Sequence, residues 1–258
     1  MNPSEKAKRE HLEKFIRTSA GVTTKTLEEE HQWQNVTGHC LIEAARMCVF
    51  ADMLEFGEKL KKDAVLAAMI HDGHKKEEIK AIHAALKKGE SGLDASNSVT
   101  KKYLEELRSK KVPERTIYFI GMVGGMPEAL IEIKKILDAE RRNDEAVAAL
   151  AVHYVDDYTR GDEWALPAER RGEHMINDVD RRVEKNQNNP NYDKIDAEAK
   201  EILRANPFFS GKTSFEAMAV VSHKIEKTFA HLLGARDGTR IDPLDIPEII
   251  DQKIKSVA

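Results

Sequence analysis

Apolar residues recur along most of the chain at intervals of three and four positions, a pattern that is typical of amphipathic helices. The alternating Val/Ile/Thr runs and Asn-Gly turns that indicate strands and hairpins are nearly absent. The pattern therefore predicts an all-α fold. The predicted helices cover residues 4–17, 35–56, 58–72, 75–88, 98–111, 113–123, 127–139, 145–159, 167–186, 194–205 and 213–233, with a last short helix after Pro247.

Breaks in this pattern suggest how the chain is organised. The segment Gly92–Asn97 is predicted as a loop because it is rich in small and polar residues. Two weak boundaries follow, one in the loop at 160–167 and one in the polar turn near 187–193. We divide the chain at the first of them, into a helical core over residues 1–161 and a helical extension over 162–258 that packs on the core.

The amino-acid composition indicates a globular protein and limits its expected partners. The 258 residues suffice for one large domain or two small ones, and 41% hydrophobic with 33% charged residues fits a globular fold. A net charge of −4 gives no attraction to nucleic acid or to an anionic membrane, so we expect neither as a partner.

The expected compartment is the cytoplasm. Cys40 and Cys48 fall on one predicted helix, where roughly 12 Å of rise separates them, too far for a disulfide. Both are therefore predicted to be reduced, buried thiols. The first residues lack the apolar stretch of a signal peptide, and no apolar run approaches membrane-spanning length.

The most informative feature is the pair His71-Asp72, which closes the apolar run Ala64–Ile70. A further histidine, His39, lies upstream, and Asp156 follows far downstream. Polar groups at the end of a buried segment need partners, and one divalent cation could serve all four side chains. The constellation points to metal-assisted hydrolysis.

The order His, His-Asp, Asp resembles the HD-domain phosphohydrolase family. The matching segments are Asn35-Val-Thr-Gly-His39-Cys-Leu-Ile-Glu-Ala-Ala, Ala67-Ala-Met-Ile-His-Asp-Gly-His-Lys75 and Leu150-Ala-Val-His-Tyr-Val-Asp156, within roughly residues 30–160. The resemblance implies a helical core in which His39, His71, Asp72 and Asp156 hold a divalent metal. It also implies hydrolysis of phosphate esters, often those of nucleotides.

The donor set indicates which ion is expected. Imidazole with carboxylate suits Mn, Fe, Co, Ni or Zn, and Mg less well. Dinuclear members of the family use extra histidines between the doublet and the last Asp, and apart from His74, directly after the doublet, this chain offers there only His83 and His153. Because His83 is predicted to be a packed core histidine, we expect one metal ion, which activates a water molecule.

Two neighbouring carboxylates compete for the last ligand position. His153, Asp156 and Arg160 share one helical face, whereas Asp157 lies on another. In the family the aspartate follows a small or apolar residue, which here is Val155. Both observations favour Asp156, and Asp157 is then expected to be solvated near the helix end.

Residues near the proposed ligands are candidates for catalysis and phosphate binding. Lys75 matches a lysine that follows the doublet in many family members, and it could hold a phosphate together with Arg160. His74 could protonate the leaving group. Glu78, or its neighbour Glu77, is a candidate general base by analogy with related hydrolases. Each also fits an ordinary surface role, for instance an arginine favoured at a helix C-terminus.

The sequence thus predicts a phosphohydrolase that acts on a nucleotide or another small phosphate ester, a monoester more than a diester. The alternatives are a non-catalytic regulatory module that senses a nucleotide and keeps the metal site, and a purely structural helical protein. The extension over 162–258 either completes the wall of the site or forms the face of a homodimer, and the sequence leaves both open.

Overall fold

A computed structural model describes residues 3–23, 36–159 and 190–256 of the chain. Every regular element in these ranges is helical, which confirms the all-α class. None of the helices there combines the length and the apolar character that crossing a membrane requires. The helices are α1 (Pro3–Ala20), α2 (Val36–Met53), α3 (Glu58–Ile70), α4 (Lys75–Lys88), α5 (Gly92–Ser109), α6 (Glu114–Ile120), α7 (Pro127–Asp138), α8 (Asp144–Tyr158), α9 (Pro190–Arg204), α10 (Ser214–Asp237) and α11 (Ile246–Ser256), with a 3₁₀ turn at Pro243–Asp245.

Two predictions lie outside the described ranges. They are the helix over 167–186 and the boundary between residues 161 and 162. The predicted and observed helix ends otherwise agree within a few residues, which is the usual uncertainty of such boundaries.

The segment Gly92–Asn97, predicted as a loop, instead forms the first turns of α5. The Ser91 hydroxyl accepts a hydrogen bond from the backbone N–H of Asp94 at 2.9 Å, as an N-cap residue does. The Glu198 carboxylate on α9 accepts from the Ser91 hydroxyl and from the Leu93 backbone N–H, each at 2.9 Å. The helix therefore begins early because a distant acidic side chain satisfies its first N–H groups.

Helices α2 and α8 form the centre of the molecule. Every residue from His39 to Ala51 is buried, and so is every residue from Ala148 to Tyr158. Both helices pack against α3, whose end carries His71. A charged or polar side chain on these helices is consequently cut off from solvent and depends on a partner inside the protein.

The C-terminal helices contribute to the same hydrophobic core as the N-terminal ones. Helix α11 packs against α2, and α10 packs against α7 and α8. A buried ion pair joins α2 to α11, because the Arg46 guanidinium donates two hydrogen bonds of 2.9 Å to the Asp251 carboxylate. Arg46 also donates to the Thr159 hydroxyl at 2.8 Å, directly after the end of α8.

Candidate metal centre

His39 lies on α2 together with a second polar residue, Glu43. The two are four residues apart, so they share one face of the helix. Both are buried, and the Nε2 atom of His39 lies 2.8 Å from the Oε1 atom of Glu43. Glu43 was not among the predicted ligands. The signal that could have found it is an acidic residue one turn after His39 inside an otherwise apolar run.

His71 and Asp72 follow the last residue of α3, in the turn that leads to α4. The Nδ1 atom of His71 lies 3.0 Å from the carbonyl oxygen of Ala68, which can only accept, so Nδ1 carries the ring proton. That tautomer leaves a lone pair on Nε2. This buried atom has no hydrogen-bond partner among the described residues. The backbone of α3 thus orients His71 so that its Nε2 atom could bind a metal ion.

Asp156 on α8 faces both imidazoles. Its Oδ1 atom lies 3.5 Å from Nε2 of His39 and 3.7 Å from Nε2 of His71. The Oδ2 atom of Asp72 approaches the same two nitrogen atoms at 3.9 and 3.6 Å. The structure therefore brings together all four residues that the sequence analysis proposed as ligands.

These separations suit one ion at their centre. Ligand atoms about 2.1 Å from a shared ion lie about 3.0 Å apart in octahedral and about 3.4 Å apart in tetrahedral geometry. The ligand atoms of His39, Glu43, His71 and Asp156 all lie within 4.8 Å of one another. Shifts of a few tenths of an ångström would complete the coordination. Asp72 joins this group from the solvent side, where its side chain is 17% exposed.

The imidazoles hold protons more tightly than usual. Burial lowers the pKa of His39, but the carboxylates of Glu43 and Asp156 outweigh this effect and raise that pKa well above its ordinary value. Burial likewise lowers the pKa of His71, and Glu43 and Asp72 lead the groups that raise it overall. The site therefore favours a positive charge between its carboxylates, which either protons or a cation can provide.

The pKa values of the Glu43 and Asp72 carboxylates shift in opposite directions. Burial raises the pKa of Glu43, and the nearby His39 and His71 offset this only in part. Burial also raises the pKa of Asp72, but His71 and Lys75 outweigh it and hold that pKa well below its usual range. Asp72 is therefore ionised on the cavity side, which is the form that binds a cation.

Asp157 does not lie in solvent, contrary to the prediction from the sequence. It is buried, with only 2% of the residue exposed. The close packing that encloses the whole second half of α8 explains the difference, because it leaves no face of the helix open. Of these two neighbours, Asp156 is the one that belongs to the cluster with the two imidazoles.

A cavity of about 300 Å³ opens beside the cluster, and His71, Asp72 and Asp156 line its inner end. Lys75 and Glu78 line it as well. The Lys75 ammonium lies 3.1 Å from Oε2 of Glu78 and 3.9 Å from Oδ1 of Asp72.

Two of the proposed catalytic groups are held in place by hydroxyl groups of α5. Oε1 of Glu78 accepts a 2.6 Å hydrogen bond from Ser96. The His74 ring stacks on Tyr103, and its Nε2 atom lies 3.1 Å from the Thr100 hydroxyl. Burial lowers the pKa of His74, and an uncharged ring accepts a proton more readily than it donates one.

The remaining candidates lie elsewhere. Arg160 is outside the described residues. His83, predicted to be packed in the core, is exposed on α4. That helix buries little besides its last turns, because its neighbour α5 covers one face only. His153 is buried, and its Nδ1 atom lies 2.9 Å from the carbonyl oxygen of Met122. Neither histidine belongs to the one metal-type cluster found in the described part of the chain.

Gly73 lets the chain turn directly after the His-Asp pair. A β-carbon here would lie 2.8 Å from Cζ of Tyr103 and closer still to its hydroxyl. That hydroxyl donates a 2.6 Å hydrogen bond to the carbonyl oxygen of Ile70, the last residue of α3. Tyr103 thus closes the C-terminus of α3 where His71 begins, and only glycine leaves room for it.

Substituting Gly73→Ala is expected to displace Tyr103 and to shift His71 and Asp72, because the new methyl group overlaps the tyrosine ring. We expect the affinity for Mn²⁺ to fall by about 10–100-fold, as for other residues that orient metal ligands. Isothermal titration calorimetry measures the change. Gly57→Ala is the matched control, since a β-carbon there meets nothing within 4 Å. Equal Mn²⁺ affinity in the two variants would contradict the role given to Gly73.

Comparison with known proteins finds no relative of this chain. No protein-family model, no curated protein and no solved structure matches this chain.

Proposed function

We propose that this protein is a metal-dependent phosphohydrolase that acts on a small phosphate monoester, a nucleotide or a simpler compound. The observation that carries the proposal is the convergence of His39, His71, Asp72 and Asp156 beside a cavity that the last three of them line. The order of these ligands along the chain, and its resemblance to HD-domain phosphohydrolases, add to it.

The donor set fits a divalent cation. Two imidazoles with carboxylates suit Mn, Fe, Co, Ni or Zn. The buried Nε2 of His71 has no hydrogen-bond partner among the described residues, and an ion would satisfy it. A bound cation would lower the pKa of a coordinated water and neutralise charge that develops on phosphorus. We assign Glu43 to this ligand set with the four predicted residues.

The cavity side chains would bind and orient the phosphate. Lys75 places its ammonium 3.9 Å from Asp72, so a phosphate bound at the metal end can reach it. Glu78 fixes Lys75 through the 3.1 Å ion pair and is fixed in turn by Ser96. His74 lines the same cavity and stays the candidate for proton transfer to the leaving group.

The cytoplasm remains our proposed location. Cys40 and Cys48 are both free and buried, as the sequence analysis expected. Burial raises the pKa of Cys48 to about 12, so this thiol is unreactive at neutral pH.

A phosphate-release assay on the purified full-length protein tests the function. The protein is stripped with chelator, reloaded with Mn²⁺ or Co²⁺ and given p-nitrophenyl phosphate, nucleoside monophosphates and a diester. We expect metal-dependent release from monoesters, and a loss of roughly 100-fold or more in Asp72→Ala, because a ligand matters more than an outer-shell partner.

The matched control for this assay is Asp94→Ala, which removes an exposed aspartate from the neighbouring helix α5. Release in no condition, or equal release from Asp72→Ala and Asp94→Ala, would defeat the proposal. A nucleotide that binds the metal-loaded protein and remains intact would instead favour the regulatory alternative.

A further inference from the structure

Besides the residues of the metal cluster, much of the cavity lining is apolar. The apolar side chains come from helices far apart in the sequence, including two of the C-terminal ones. They are Ile82, Leu93, Ile120, Ile195, Ala199 and Met218. The part of a substrate that extends away from the cluster must therefore contact hydrocarbon.

The two hydroxyl groups that α5 contributes to this cavity already have partners. The Ser96 hydroxyl donates to Glu78, and the Thr100 hydroxyl pairs with His74. The described lining residues include no Asn, Gln, Phe, Tyr or Trp. Hydrogen bonds to the base edges and stacking on its faces are the usual ways to bind a nucleobase. Neither is provided by the described side chains of the apolar lining.

The size of the cavity also favours an aliphatic group over a nucleobase. A volume of about 300 Å³ stands at the lower end of small-molecule sites. Among the described lining residues, a nucleobase would depend on backbone groups, such as those of Gly121, Gly124 and Gly125, as partners for its polar edge atoms, which weakens binding wherever they do not match. An aliphatic group meets no such penalty and gains affinity with each methylene that it buries.

We propose that the preferred substrate is the phosphate monoester of a short aliphatic alcohol, and that Ala199 on α9 limits the length of its alkyl group. This inference rests on the proposed function. Ala199 is 2% exposed and lies in the cavity wall, so a larger side chain there takes up the space of the alkyl group. Helices α9 and α10 thereby complete the substrate site.

The test compares methyl, n-butyl and n-hexyl phosphate with AMP on the Mn²⁺-loaded protein. Binding is measured by calorimetry and turnover by phosphate release. From methyl to butyl we expect affinity to rise by up to about fourfold per methylene, and AMP to bind more weakly than butyl phosphate. Ala199→Leu is expected to lose at least about 10-fold of the butyl affinity while methyl phosphate binds as before.

Ala84→Leu, at an exposed position of α4, is the matched control and should leave the alkyl series unchanged. Ile195→Ala makes the opposite change, because it widens the cavity and should move the preference towards hexyl phosphate. This second variant keeps the test decisive if Ala199→Leu folds poorly.

AMP that binds as well as or better than butyl phosphate would overturn the inference. So would an equal effect of Ala199→Leu on methyl and butyl phosphate, or no binding of any alkyl phosphate. Butyl phosphate that binds in the expected order but is never hydrolysed would support the assigned ligand class and defeat the hydrolase function.

Discussion

Replacing His71 by alanine is expected to abolish high-affinity binding of Mn²⁺ or Co²⁺. His71 faces two carboxylates through a nitrogen whose lone pair is preset by the backbone of α3. Substituting a residue that only orients a metal ligand typically costs 10–100-fold in affinity. Loss of the ligand itself should cost more than roughly 100-fold in affinity, because the carboxylates of the cluster are then left with a single imidazole. Calorimetric titration of the metal-free protein measures this directly.

His83→Ala is the matched control for this experiment. It removes a histidine that is exposed on α4, and it should leave metal affinity unchanged. Equal affinity for Mn²⁺ in His71→Ala and His83→Ala would show that the cluster does not bind the ion. Circular dichroism of both variants establishes that they keep their helical fold.

Replacing Asp251 by alanine is expected to destabilise the protein by about 3–5 kcal/mol, because it leaves the Arg46 guanidinium buried without its carboxylate. For a chain of this size, that corresponds to a drop in Tm of roughly 6–20 °C. Denaturant unfolding and calorimetry measure the two quantities. Arg46 also bonds to Thr159 after α8, so the loss should loosen the contact between the helices that carry His39 and Asp156.

Two further variants separate the charge effect from the packing effect. Asp245→Ala removes an exposed carboxylate just before α11 and should change stability by less than about 0.5 kcal/mol. The double variant Arg46→Met with Asp251→Leu replaces the pair by apolar groups and should recover most of the loss. A single Asp251→Ala variant as stable as Asp245→Ala would contradict the account of this ion pair.

Helical periodicity was enough to predict the fold class, because apolar residues recur at helical spacing along most of the described chain. It failed at Gly92–Asn97, where small and polar residues indicate a loop but the segment is helical. The missing information is the carboxylate of Glu198, which caps the helix from over 100 residues away. A local pattern contains no trace of such a contact.

The site was predictable where the ligands interrupt apolar segments. His71-Asp72 closes a buried run, and helical register selected Asp156 over Asp157. Glu43 was missed, although it lies one turn from His39. Acidic residues on helices are common in solvent, and only the packing around α2 shows that this one is buried.

Exposure was the least predictable property. His83 lies between alanines and an isoleucine, yet it is exposed. Asp157 lies near a helix end, yet it is buried. In both cases the number of helices packed around the residue determines its exposure. That number depends on tertiary contacts and not on the local sequence.

The most direct test of the central claim is an anomalous-difference map from crystals of the full chain grown with Mn²⁺ or Co²⁺. The account predicts one strong peak about 2.0–2.3 Å from Nε2 of His39, Nε2 of His71 and Oδ1 of Asp156. A peak bound elsewhere, or none at this cluster with metal in excess, would contradict it.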